Sequence, residues 1–197
     1  MQKKAEIHDQ IRSDYQKILL DPQHSILGDS ASAETLSASV GYTAEELALV
    51  PAECNLGLGC GNPLRAVRLQ PGEVVIDLGS GAGLGCLLAG TQVGRRGRVI
   101  GVDMTPEMLS TARRIAKENR IRNVEFRLGE IENLPAADNC ADVCISNCVI
   151  NMSPNKNRVY REIFRVLKPG GRLSICDIVI MKELPKDMQD SPEMHSC

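Results

Sequence analysis

The pattern of apolar and polar positions changes character about a third of the way along this chain. Residues 1–50 are mostly polar and helical in pattern, broken across Asp21–Ser32, where Pro22 and Gly28 predict an irregular stretch. Tyr42–Val50 (YTAEELALV) predicts a short helix with Thr43 as N-cap and Glu45 and Glu46 in its first turn. Pro51–Pro63 (PAECNLGLGCGNP) is glycine-rich and predicts a loop, and Pro71-Gly72 marks the entry into a segment of different rhythm. From Val74 onward short β-branched runs alternate with amphipathic stretches. The predicted strands are Val74–Leu78, Arg98–Asp103, Val124–Leu128, Ala141–Ser146 and Arg172–Ile178. Between them fall a helix opened by Gly83 and running through Val93, and a helix over Thr105–Asn119 with Thr105 as N-cap and Pro106 at the first helical position. Ser153-Pro154 repeats that start for a helix through Leu167, in which Val159, Ile163, Val166 and Leu167 share one face, and Lys168–Gly171 ends it. Such alternation predicts an α/β fold with a doubly wound parallel sheet. The chain divides into a helical segment (1–50), a Cys/Gly-rich loop (51–73), a nucleotide-type domain (74–180) and a tail (181–197) that carries Cys197.

The chemistry concentrates where the first strand ends. In VVIDLGSGAG, Asp77 closes a strand and Gly79, Gly81 and Gly83 let the backbone turn tightly and let a ligand approach. A second strand ends in Asp103, twenty residues beyond Gly83, where a carboxylate can accept hydrogen bonds from ribose hydroxyls. A dinucleotide fingerprint would be G-x-G-x-x-G, but from Gly79 the sixth position is Leu84 and from Gly81 it is Cys86. The spacing is G-x-G-x-G. It resembles the first motif of class I S-adenosylmethionine-dependent methyltransferases, and Asp77 suits that ligand: a carboxylate there attracts an ammonium and repels a pyrophosphate.

With 197 residues the chain can build one full core, and its formal net charge of −2, with both signs interspersed, argues against a nucleic-acid or anionic-membrane surface. No apolar run approaches the roughly 20 residues of a membrane helix, and the polar N-terminus has no signal-peptide core, so the expected location is cytoplasmic. Eight cysteines are too few for a disulfide scaffold. In a reducing compartment they read as buried small hydrophobes, soft-metal ligands or redox groups.

From Gly41 to Cys197 the chain resembles arsenite methyltransferases through GYTAEELALVP, NLGLGCGNP, VIDLGSGAG, VIGVDMTPEML, VEFRLGEIENLP, ISNCVINMSPNK and FRVLKPGGRL. NLGLGCGNP and SNCVIN are the most specific of these, because a generic methyltransferase has no reason to place cysteine there. The resemblance implies a Rossmann-like sheet, S-adenosylmethionine as cofactor, arsenite or its thiol conjugates as substrate, and a thiol reductant such as thioredoxin or glutathione as partner. It also implies that Cys60, Cys148 and Cys197 hold trivalent arsenic, a soft and thiophilic centre for which thiolates are the fitting ligands. Asp77, Gly79, Gly81, Gly83, Asp103, Met104, Glu130, Ile131 and Asn147 are then cofactor contacts: Met104 on the adenine, Glu130 and Ile131 bracketing it, and Asn147 at the amino-acid end. Class I sheets usually carry two strands after the fifth, so the resemblance also implies that this chain lacks the family's final strands.

The other cysteines read differently. Cys86, Cys144 and Cys176 are expected to pack in the core, while Cys140 falls in a turn and Cys54 at the surface. His8, His24 and His195 show no ligand spacing among themselves. Two other functions remain open to the sequence: methylation of a small organic acceptor, with the cysteines incidental, and sequestration of arsenite or another soft metal without turnover.

Overall fold

The computed structural model of the chain describes residues 2–20, 32–179 and 181. Five strands, β1 (Val74–Leu78), β2 (Arg98–Asp103), β3 (Val124–Leu128), β4 (Ala141–Asn147) and β5 (Leu167–Cys176), form one parallel sheet in the order β3-β2-β1-β4-β5. The order reverses between β1 and β4, so the chain leaves these two neighbouring strands in opposite directions. A crevice therefore opens at their carboxyl ends, the place where open α/β sheets bind ligands.

Side-chain alternation assigns the two faces. Val75 of β1, Val99 of β2 and Val143 of β4 pack with α4 (Pro63–Val67), α5 (Leu84–Val93) and α6 (Pro106–Glu118). Ile76, Leu78, Ile100, Val102 and Cys144 point the other way, onto Val159, Ile163 and Val166 of α7 (Lys156–Val166). Each fully buried aliphatic side chain in these layers stabilises the fold by about 1.5–3 kcal/mol. The first helix, α1 (Gln2–Leu20), crosses the carboxyl end of the sheet. There Tyr15 donates to Met152 Sδ at 3.5 Å and Gln16 to Glu107 at 3.1 Å.

Several boundaries differ from the sequence expectation for identifiable reasons. The helix expected over Tyr42–Val50 shortens to α3 (Ala44–Leu47), although Thr43 and Glu46 do form a reciprocal capping box at its start. It is preceded by α2 (Ala33–Ser39), capped by Ser32, whereas the break expected over Asp21–Ser32 lies almost entirely outside the described residues. The segment expected as a loop over 51–73 contains a 3-10 turn at Ala52–Cys54 and the short helix α4. Ser153 does not cap α7; its hydroxyl donates to Glu132 at 2.6 Å and accepts from Asn155 N, so Asn155 becomes the cap, accepting from Arg158 N at 3.1 Å. β5 starts at Leu167 rather than Arg172. Leu167 pairs with Ala141 and Arg172 with Val143, which makes Lys168–Gly171 a bulged excursion within an edge strand, where a proline removes no ladder hydrogen bond.

Candidate functional site

A cleft of about 230 Å³ lies over the carboxyl ends of β1, β2 and β4, with α1 as its roof. Gly79–Ala82, Asp77, Asp103, Met104 and Ile131 line it, as do Cys60, Asn147 and Cys148; Ile11, Tyr15 and Met152 supply apolar wall from above. Gly83 is not on the wall. It caps α5, and a Cβ there would meet Phe126 at 3.0 Å. Glu130 borders a separate surface depression with Met104 and Arg12 and stands 3.2 Å from His8 Nδ1.

The glycine turn is wired to the second acidic strand end. Gly81, at φ +52°, donates its N–H to Asp103 Oδ2 at 2.9 Å, and Thr105 N donates to Oδ1 at 2.8 Å. Burial raises the Asp103 pKa above the ordinary carboxylate value, while these N–H groups pull against that shift. Nothing lies within 4 Å of where a Gly81 Cβ would be, so the turn faces open space.

Asp77 is the unusual group. It is buried, and its pKa is pushed up to about 7 by desolvation and by the neighbouring Asp103 charge, with only the Cys86 thiol, donating at 3.3 Å, in opposition. Among the described residues no cation pairs with it. A buried carboxylate without a counter-charge on the wall of a cleft fits a ligand that brings a cationic group of its own.

Two cysteines also converge on the cleft. Cys60 sits in the loop before α4. Asn147 at the end of β4 holds that loop, accepting from Cys60 N at 3.0 Å and donating to Gly61 O at 2.7 Å. Cys148 follows at φ +58°, a left-handed conformation costly for a side chain with a Cβ, and its N–H donates to Cys176 O at 2.8 Å. The Cys60 and Cys148 sulfurs and a carboxylate oxygen of Asp177 all lie within 4.8 Å of one another. Desolvation, the hydrogen bond with Cys60 and the Asp177 charge push the Cys148 thiol up to about 12, so it is protonated at neutral pH. The thiols are free.

The flanking glycines are what let this loop close. A Cβ on Gly61 would lie 2.6 Å from Cys176 Sγ, and one on Gly59 would lie 2.7 Å from Asn147 Nδ2. Gly61→Ala is therefore expected to push the Cys60 loop off β5 and cut any thiol-dependent activity about tenfold or more, with a stability loss of about 1–3 kcal/mol. Activity and thermal denaturation of the same sample check both numbers.

Three other residues stand where the sequence does not predict them. Cys54, expected at the surface, is buried beside Leu87 and Ile115, where desolvation pushes its pKa up to about 12. Cys176, expected in the core, is only partly buried and sits against the Cys60 loop, because it ends an edge strand. His8, which carries no motif, is buried with Nδ1 at Glu130 and Nε2 3.3 Å from Glu132, and so ties α1 to the segment after β3. His24, His195 and Cys197 lie outside the described residues.

A family model described as a methyltransferase domain matches residues 69–197, more than half of the chain. The chain belongs to that methyltransferase family. Among curated relatives of the chain, the arsenite methyltransferase of Halobacterium salinarum is 53% identical over 157 residues, which cover 80% of this chain and 40% of the relative. That of Aquipseudomonas alcaligenes is 42% identical over 144 residues, covering 70% and 41% respectively. The chain thus spans about two-fifths of the length of these relatives. A crystal structure of an arsenic(III) S-adenosylmethionine methyltransferase from Chlamydomonas reinhardtii superposes with a TM-score of 0.63 at 35% identity, covering 83% of this chain and 55% of that one.

Proposed function

We propose that this chain transfers the methyl group of S-adenosylmethionine to trivalent arsenic held by Cys60, Cys148 and Cys197. The observation that carries this reading is the convergence of two cysteine sulfurs on a cleft whose wall also offers a glycine turn and a carboxylate with no cation paired to it among the described residues. The sequence relatives and the algal structure are named for this chemistry, which supports the same reading.

When bound, S-adenosylmethionine supplies an electrophilic methyl on a sulfonium. Asp77 would face its ammonium, and Asp103, held at the cleft by the N–H groups of Gly81 and Thr105, would accept from the ribose hydroxyls. Met104 and Ile131 would give the adenine an apolar seat, whereas Glu130 borders the neighbouring depression and contacts His8. Asn147 spends its amide on the Cys60 loop and so fixes the distance between the thiol end and the cofactor end.

The high pKa of Cys148 is no obstacle to capture. Arsenous acid and a thiol exchange by forming an As–S bond and breaking an As–O bond, and the thiol proton leaves with the hydroxyl as water. Arsenic held by sulfur keeps its lone pair, which would form the As–C bond as the methyl–sulfonium bond breaks, the bonding pair leaving on the thioether sulfur and arsenic rising formally from trivalent to pentavalent. No base is needed for that step, so the protein's part is alignment and the exclusion of water, to which the apolar side chains under α1 contribute. A thiol reductant such as glutathione or thioredoxin would supply the two electrons that return arsenic to the trivalent state and leave the cysteines as thiols, in a cytoplasmic setting.

The deciding experiment incubates the chain with methyl-labelled S-adenosylmethionine, with and without arsenite. Label on arsenic only when both are present is expected. Transfer without arsenite would assign an organic acceptor, and tight arsenite binding with no transfer would leave a sequestering protein.

A further inference from the structure

Asp177 belongs to no sequence motif, yet it stands at the thiol pair. It comes directly after β5, and each of its oxygens is fixed by one backbone N–H: Asn151 N donates to Oδ2 at 3.1 Å and Ile178 N to Oδ1 at 2.9 Å. A carboxylate oxygen accepts about two hydrogen bonds, so each keeps acceptor capacity, and one of them lies within 4.8 Å of both sulfurs. Asn147 Oδ1, an amide oxygen beside Cys60, already receives both Cys60 N at 3.0 Å and Cys60 Sγ at 3.8 Å.

The chemistry of capture, which rests on the arsenic reading of the site, shows what that carboxylate meets. Two thiols and arsenous acid give a dithiolate that retains one hydroxyl, with two As–S bonds formed, two As–O bonds broken and two waters released. That hydroxyl is a donor and must be placed beside the sulfurs. A third thiol would remove it; an arsenical that already carries one carbon substituent never has it once both sulfurs are bound.

We propose that Asp177 accepts the hydrogen bond of the hydroxyl remaining on arsenic after Cys60 and Cys148 have bound, and so makes the thiol pair selective for inorganic arsenite over mono-organic arsenicals. The carboxylate acts before any third thiol arrives, holding the two-sulfur complex in the orientation from which the arsenic lone pair faces the cleft. Asp177 is thus a specificity-determining residue, placed by backbone N–H groups that do not depend on the substrate.

The test uses the full chain carrying Cys197→Ser, so that a third thiol cannot displace the hydroxyl. Calorimetry with arsenite and with phenylarsine oxide, which spends both thiols and retains no hydroxyl, is run for this parent, for Asp177→Ala and for the nearly isosteric Asp177→Asn. Loss of a charge-assisted hydrogen bond is expected to weaken arsenite by about tenfold or more in Asp177→Ala, with a smaller loss in Asp177→Asn, while phenylarsine oxide stays within about twofold in both. Equal weakening of both arsenicals would reduce Asp177 to a scaffold for Asn151 and Ile178 and overturn the proposal, and so would unchanged arsenite affinity in both variants. Failure of the parent to bind either arsenical overturns the arsenic reading itself, a distinguishable result. S-Adenosylmethionine binding by each variant verifies that the fold is intact.

Discussion

Asp77→Asn is expected to make the empty protein more stable at pH 8 while weakening S-adenosylmethionine binding. The folded-state pKa of Asp77 is about 7, against an ordinary value of 3.8. Between those values the folded protein holds a proton that the unfolded chain has released, so this group lowers stability progressively as pH rises and exerts its full cost above the folded pKa. A shift of that size corresponds to a penalty on the order of 4 kcal/mol at pH 8, which the neutral amide removes. At pH 5 both side chains are largely neutral in the fold, and the gain should shrink sharply. Cofactor affinity moves the opposite way: the amide cannot answer an ammonium, and a loss of about tenfold to a hundredfold is expected at pH 8. In the parent, affinity should fall by up to about tenfold per pH unit as acid protonates Asp77. Thermal denaturation at the two pH values and calorimetry with S-adenosylmethionine check the pair. A stability gain independent of pH, or unchanged affinity at pH 8, would remove Asp77 from the role assigned to it.

Cys148 gives the second large effect. Cys148→Ser exchanges a soft ligand for a hard one at nearly constant size, so arsenite-dependent methylation should fall at least about a hundredfold, the scale of loss that a misplaced reacting atom produces. S-Adenosylmethionine affinity should remain within about twofold, because the changed atom lies at the thiol end. Cys148→Gly sharpens the test. At φ +58° a glycine relieves backbone strain, so this variant should melt higher, by a gain of about 1–2 kcal/mol, while losing methylation as completely as the serine variant. A thiol kept at a strained position against the interest of stability is what a functional requirement looks like. Turnover that survives either substitution would sink the arsenic reading.

Much of this molecule is written locally. β1 and β2 are β-branched runs that each end in a carboxylate, with a glycine turn or a Thr-Pro helix start directly after, and these signals need no distant partner. Both strands occupy the residues that the sequence predicts. Boundaries that depend on remote groups were not legible. α7 begins at Lys156 because Ser153 is drawn to Glu132, and β5 begins at Leu167 because Ala141 pairs with it across a bulge.

The site divides in the same way. The glycine turn, Asp77 and Asp103 were visible in the sequence because their spacing is itself the chemistry. The same spacing could not show that Asp77 has no counter-charge among the described residues or that its pKa is pushed up to about 7, since burial is a property of everything packed around it. Cys54 and Cys176 exchanged their expected environments for one reason: the first lies under α5 and α6, while the second ends a strand at the sheet edge.

By itself the sequence determined the class of fold and the acidic residues where β1 and β2 finish, since each is a matter of residue type and short-range period, whereas Cys60, Cys148 and Cys197 were singled out through a family resemblance. The tertiary structure alone decided that Asn147 holds the Cys60 loop against β4, that Asp177 joins the two sulfurs, and that His8 fastens α1 over the cleft. Those contacts link side chains far apart in sequence, and their energy comes from burial and directed hydrogen bonds that exist only after the sheet has closed around them.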